Sequence, residues 1–249
     1  MFRHQGKSRT LMHNLQLAAI LSLVAGIVNV CGFLAIHQLT TNVTGHFALF
    51  INDVANTEFL KGVTYFAYIL SFFLGSFMSS FLIERFHENR RLNVYVIPTL
   101  LECAFLISVV VLCYQSELEF PNTVACLLLF AMGLQNSYVT KISNAVVRTT
   151  HLTGLFTDLG IELSQLFFPK YRLHREKIKA NIKLRLVIIS SFFIGGLAGG
   201  FCYVELDYRM NTLVIAVLLL LFGLFFDDFK YRVLITRRKY LQKKAANDS

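Results

Sequence analysis

Long apolar stretches almost free of charge constrain this chain more than anything else in it. Six runs approach or exceed the roughly 18–20 residues that cross a bilayer as a helix. They cover residues 15–36, 63–83, 94–113, 123–139, 184–204 and 212–226, the fourth and sixth being the short ones. Charged residues make up 16% of the chain and hydrophobic ones 55%, whereas a soluble domain carries about a quarter charged residues. The reading is an all-α, polytopic membrane helix bundle of about six spans. A further run, 155–168, has only 14 residues and contains Asp158 and Glu162. It is too short and too polar for a crossing, and we read it as an interfacial or re-entrant helix. The first run follows Arg3, Lys7 and Arg9, yet it is long, lacks a clean small-x-small cleavage site and precedes further spans. It is therefore expected to be a retained span and not a signal peptide.

The basic residues orient these spans. Placing residues 1–14, the 84–93 loop, the 140–185 stretch and the C-terminal tail on the cytoplasmic side puts 22 of the 24 Lys and Arg there, leaving Lys61 and Arg209 opposite. That bias gives cytoplasmic N- and C-termini and an even number of spans in a bacterial inner membrane. The net charge of +9 is then accounted for by loops facing anionic lipid, and no nucleic-acid partner is expected. The basic run 237–244 reads as a stop-transfer flank, with RNA or lipid head groups as the alternative. Five cysteines, at 31, 103, 113, 126 and 202, lie in or beside apolar runs without a C-x-x-C pair. They read as small hydrophobes.

A short polar phrase occurs twice. TNVTG (41–45) and THLTG (150–154) each follow a span containing G-x-x-N, namely Gly26–Asn29 and Gly133–Asn136. Each is followed by a polar-tipped helix and two more spans. The organisation predicted is an N-terminal segment 1–14, a first repeat 15–113, a second repeat 114–226 and a basic tail 227–249. Three spans per half is an odd number, so the second half enters the membrane inverted. Interrupted segments at matched positions of inverted halves point to a secondary transporter's midplane site. Irregular backbone at membrane depth must line a cavity or be buried in protein. Thr41, Thr44, Thr150 and Thr153 can satisfy freed backbone groups, while Gly45 and Gly154 let the chain turn. Helices starting there would offer free N–H groups and a positive dipole end, which favours an anionic substrate. The competing reading is a pair of N-capped helix starts preserved by duplication. Asn42-Val43-Thr44 also fits a glycosylation sequon, to which little weight attaches.

The string GLQNSYVTKISNAVVRTTHLTGLFTDLG (133–160) and the opening VAGIVNVCGFLAI with TNVTGH resemble the bacterial YoaK-like family of small multi-span membrane proteins. The resemblance covers about residues 15–226. It implies a polytopic bacterial membrane protein and small-molecule transport, without a substrate. Two departures stand out. Relatives often carry an acidic residue where this chain has Asn29, which removes a proton- or cation-carrying group there. His46 also stands where a small polar residue such as Asn is expected.

Glu102 sits mid-span, where an ionisable group is costly and a candidate functional residue; the bland reading is a carboxyl holding helices together. Arg148 is a candidate anion grip, or else a positive-inside residue paired with Asp158 or lipid phosphate. Asn29, Gln135 and Asn136 either contact substrate or bridge helices. His46 and His151 lack a third ligand, so no metal site and no cofactor are expected. Gly195-Gly196 and Gly199-Gly200 form a close-packing face, internal or at a dimer seam. The stripe Phe72, Phe73, Phe77 and Phe81 reads as lipid-facing or core filler.

The function expected is a small-molecule secondary transporter or permease binding at the two Thr-x-x-Thr-Gly breaks. The alternatives are a non-transporting adaptor or assembly protein acting through the basic 170–185 stretch and tail, and a lipid-modifying enzyme. Asp158, Glu162 and His151 form at most a weak cluster, and no H-E-x-x-H or G-x-S-x-G occurs, so a non-enzyme is expected. The bilayer is the expected partner beside the substrate, and a homodimer is an open assembly.

Overall fold

The computed structural model describes residues 10–86, 94–116 and 120–225. The basic run 237–244 and the rest of the tail lie outside the described residues. Eight helices follow one another: α1 (Leu11–Ile36), α2 (Thr44–Ala55), α3 (Phe59–Phe86), α4 (Val96–Ser116), α5 (Pro121–Ser143), α6 (Leu152–Gln165), α7 (Arg175–Val204) and α8 (Arg209–Phe225), which opens with a 3-10 turn. A further 3-10 turn, Pro169–His174, leads into α7. Five of these helices are long and apolar enough to cross a membrane, and α8 is a shorter apolar helix. The order long, short, long, long of α1–α4 returns in α5–α8, with a shorter last helix.

Helix ends explain where the apolar runs and the helices diverge. Thr10 caps α1, its hydroxyl accepting from the His13 N–H. The helix stops at His37, whose left-handed backbone (φ 54°) lets its N–H reach Phe33 O. α5 ends the same way, on Asn144 and Ala145 with φ of 52° and 62°. It runs four residues beyond the apolar window ending at 139, carrying Lys141 to Glu84 at 2.5 Å. α7 begins nine residues before the apolar run at 184, because Lys, Arg and Glu favour the helix as well as apolar residues do. α6 has the 14 residues expected of the polar segment, set three residues earlier.

The packing is reciprocal between the halves. α1 lies along α7, and α3 lies along α5, so each long pair joins one helix from each half. Leu23 and Ile27 of α1 meet Gly195 and Gly199 of α7 in the same order, which makes that pair parallel. Gly26 faces the backbone of α7 so closely that a Cβ there would strike Phe192 O. Gly133 faces Phe72 O of α3 in the same way. The reverse contacts match as well: Gly195 faces Leu23 O and Gly75 faces Phe130 O. Lipid tails are as apolar as leucine, so association of helices in a membrane relies on such close approaches. Ser76 adds a hydrogen bond from Oγ to Gly133 O at 3.0 Å. The glycine pairs of the fifth span thus face α1 inside the bundle, while Phe73, Phe77 and Phe81 point outward, more than half exposed.

This symmetry exposes a second repeated phrase that the twin-break reading overlooked. SFFLGSFMSSF (71–81) in α3 answers SFFIGGLAGGF (191–201) in α7. The signal lay in the aromatic and small-residue spacing, not in the polar residues. The core runs between the long helices, with Leu17, Leu21, Val28, Leu106, Leu128, Met132, Tyr138, Ile188, Leu213 and Leu220 buried.

Candidate functional site

The two breaks carry the same hydrogen bond. Thr41 donates its hydroxyl to Asn29 Oδ1 at 2.8 Å, and Thr150 donates to Asn136 Oδ1 at 2.7 Å. Asn29 and Asn136 both lie seven residues before the last residue of their helices, Ile36 and Ser143. The returning chain is folded back along the helix that it left, bringing a threonine about two turns down it. In the first half this return is tight. Thr40 donates to Val28 O at 3.2 Å, and its side chain fills the space that a Cβ on Gly32 would need. In the second half the path from asparagine to threonine is two residues longer. Ser143 Oγ accepts from the Val147 N–H at 3.0 Å, and Asn136 Nδ2 donates to Met132 O at 2.8 Å.

The following helices α2 and α6 have 12 and 14 residues, so they extend roughly 18–21 Å at 1.5 Å per residue, short of a ~30 Å hydrocarbon core. Their outer faces are apolar: Phe47 and Ile51 on α2, Phe156 and Ile161 on α6, each half or more exposed. Neither first turn carries an acidic side chain. Thr44 and Thr153 sit in these first turns, exposed, without a side-chain capping bond. Asn42 Oδ1 instead accepts from the Gly45 N–H at 3.4 Å. Gly45 and Gly154 are helical residues, and both chain reversals are made at the preceding helix ends, by His37, Asn144 and Ala145.

The surroundings of the breaks differ. His46 is buried against Tyr65 and Tyr68, with ring centroids 6.2 and 5.2 Å away. Its Nε2 lies 2.7 Å from Leu39 O, and its Nδ1 is buried without a partner among the described residues. Tyr68 donates to Asn122 Oδ1 at 2.6 Å, tying α3 to the start of α5. Asp53, nine residues after Thr44, is buried, with Oδ2 unpartnered among the described residues. Glu162, nine residues after Thr153, is its counterpart. It accepts from Asn181 Nδ2 at 3.0 Å, and Arg185 Nη1 lies 3.0 Å from its Oε2. Arg185 also reaches Asp158 at 3.0 Å. Asp158 therefore pairs with Arg185, while Arg148 is exposed at the break.

Glu102 is buried in α4, far from both threonines in sequence. Its Oε2 accepts from the Tyr138 hydroxyl at 2.7 Å, and its Oε1 has no partner among the described residues. Gln135 Nε2 donates to Leu21 O at 2.7 Å, joining α5 to α1. Among the predicted residues the structure joins Asn29 to Thr41 and Asn136 to Thr150. It buries Gln135 and Glu102 inside the bundle and leaves Thr44, Thr153, Arg148 and Asp158 at exposed positions. Sequence reasoning missed Tyr65, Tyr68, Asn122 and Arg185. Arg185 was counted only as a positive-inside charge, although it lies four residues after Asn181 and thus on the same helix face. No group of His, Cys, Asp and Glu among the described residues is arranged to hold a metal ion.

Long apolar helices with twin polar breaks define a polytopic helical membrane protein. Residues 17–226 match the model of a family described as protein of unknown function (DUF1275), and the chain belongs to that family. It is similar to the UPF0700 transmembrane protein YoaK of Bacillus subtilis (strain 168), 23% identical over 183 residues, covering 73% of this chain and 80% of that protein. No solved structure matches.

Proposed function

We propose that the protein is a secondary transporter of a small solute in the bacterial inner membrane, with both termini cytoplasmic and two inverted halves around a midplane site. The matched Asn29–Thr41 and Asn136–Thr150 hydrogen bonds carry this reading. Each closes one interrupted segment onto its own long helix. Each leaves an amide and a hydroxyl available to a solute when the segment swings away. The reciprocal packing of α1 on α7 and α3 on α5 supports rocking of one unit against the other. Positive ends of α2 and α6 favour an anionic solute. We assign the buried Gln135 of α5 and Glu102 of α4 to the same polar lining, with no catalytic step.

Thermal stabilisation of the detergent-purified protein tests this reading. A panel of small anions, amino acids, nucleobases and aromatic acids is added to wild type and to a Thr41→Val, Thr150→Val variant. A shift in wild type alone supports the site and gives the solute class. A shift retained in the variant moves the site elsewhere. No shift across the panel favours the adaptor reading, which depends on the basic 170–185 stretch.

A further inference from the structure

We infer that the groove between α6 and the first half of α7 binds one anionic phospholipid. The groove is open to the surface and has a volume of about 420 Å³, within the range of about 300–1,000 Å³ for small-ligand sites. Leu163 of α6 and Leu166 just past its end line it together with Ile182 and Leu186 of α7, and Lys179 and Lys183 lie toward the N-terminal end of the α7 stretch. From Lys179 to Ser191, at the other end, α7 rises roughly 18 Å, long enough for an acyl chain to lie along it. The layout is amphipathic along its length: lysines toward one end, leucine, isoleucine and valine side chains along the middle, and two small serines at the other end.

The charge at that end is not cancelled. Lys183 makes no ion pair among the described residues, and Lys179 shares only the exposed Glu176 at 2.9 Å. The carboxylates on α6, Asp158 and Glu162, are both taken up by Arg185. Arg175 donates to Leu166 O at 3.1 Å, fastening the end of α6 to the start of α7 beside the lysines. A phosphate head group fits the lysines and a chain fits the leucines. A neutral lipid lacks the first match and a soluble phosphate the second. Basic pockets between helices at a membrane surface bind anionic head groups for this reason. The groove has no basic counterpart in the other half. By the α3–α7 alignment, Lys179 and Lys183 correspond to Phe59 and Val63, both exposed. The inference requires only that the chain lies in a membrane and is independent of any transport activity.

The test uses full-length protein in neutral detergent with phosphatidylglycerol, phosphatidylcholine or glycerol phosphate added, read by melting temperature and by lipid retained in native mass spectrometry. Phosphatidylglycerol is expected to stabilise the protein and to be retained at one per chain, and the other two are not. Lys179→Gln with Lys183→Gln should weaken that retention by roughly 30-fold, the product of about fivefold per lysine near a membrane surface. Lys170→Gln with Lys177→Gln, the same charge change outside the groove, should leave it intact. Equal stabilisation by phosphatidylcholine overturns the inference. So does retention unaffected by the 179/183 pair, or equal loss from both pairs, which would mean diffuse attraction to the basic stretch.

Discussion

The two breaks share a backbone plan and differ in what fills it. Behind the Asn29–Thr41 bond stands an aromatic cluster, His46 with Tyr65 and Tyr68. Behind the Asn136–Thr150 bond stands an ionic one, Glu162 with Arg185, Asn181 and Asp158. Aromatic and ionic packing are not interchangeable solutions to one steric problem. The feature kept in both is a threonine hydroxyl on a span asparagine, and the proposed solute site rests on it, while the flanking clusters differ between the segments.

The helix contacts offer the hardest test of the equivalence. Gly26→Leu and Gly133→Leu each push a side chain into the backbone of the neighbouring helix, at α7 and α3. Each is expected to cost about 3 kcal/mol or more, measured by denaturant unfolding in detergent. Gly196→Ala meets nothing nearer than 3.9 Å and should change stability by less than about 0.5 kcal/mol. Unequal losses at Gly26 and Gly133 would break the symmetry. The clusters should separate the halves: Arg185→Met leaves Glu162 buried without its cation and is expected to cost about 2 kcal/mol. Tyr65→Met, its counterpart by alignment, removes only ring contacts and should cost about half as much. Thr41→Val and Thr150→Val each remove one hydrogen bond, for about 1 kcal/mol, and equal loss of solute binding from either would place both breaks in one site. Thr44→Val and Thr153→Val should be the mildest, within about 0.5 kcal/mol, since both side chains are exposed and make no hydrogen bond among the described residues.

The fold was legible because hydrocarbon imposes a length and a polarity that few sequences meet by accident. The twin breaks were legible because asparagine and threonine are rare enough beside such runs to stand out. Which threonine meets the asparagine was not. Spacing alone favoured the Thr-Gly pair, yet the chain reversal at His37 or Asn144 brings Thr41 and Thr150, three residues earlier, to the asparagines. Arg185 was hidden for a similar reason, its partner lying on α6 and fixed only by how α6 lies on α7. The glycine faces were visible as composition, but their partners depend on parallel pairing between distant helices.

That pairing has a consequence for how the protein is made. The glycine face of α1 has no other helix to close on until α7 is synthesised, roughly 140 residues later. At roughly 5–20 residues per second, that is a wait on the order of ten seconds. During it, a half-formed product carries its closest-packing surface without the helix that covers it in the finished fold.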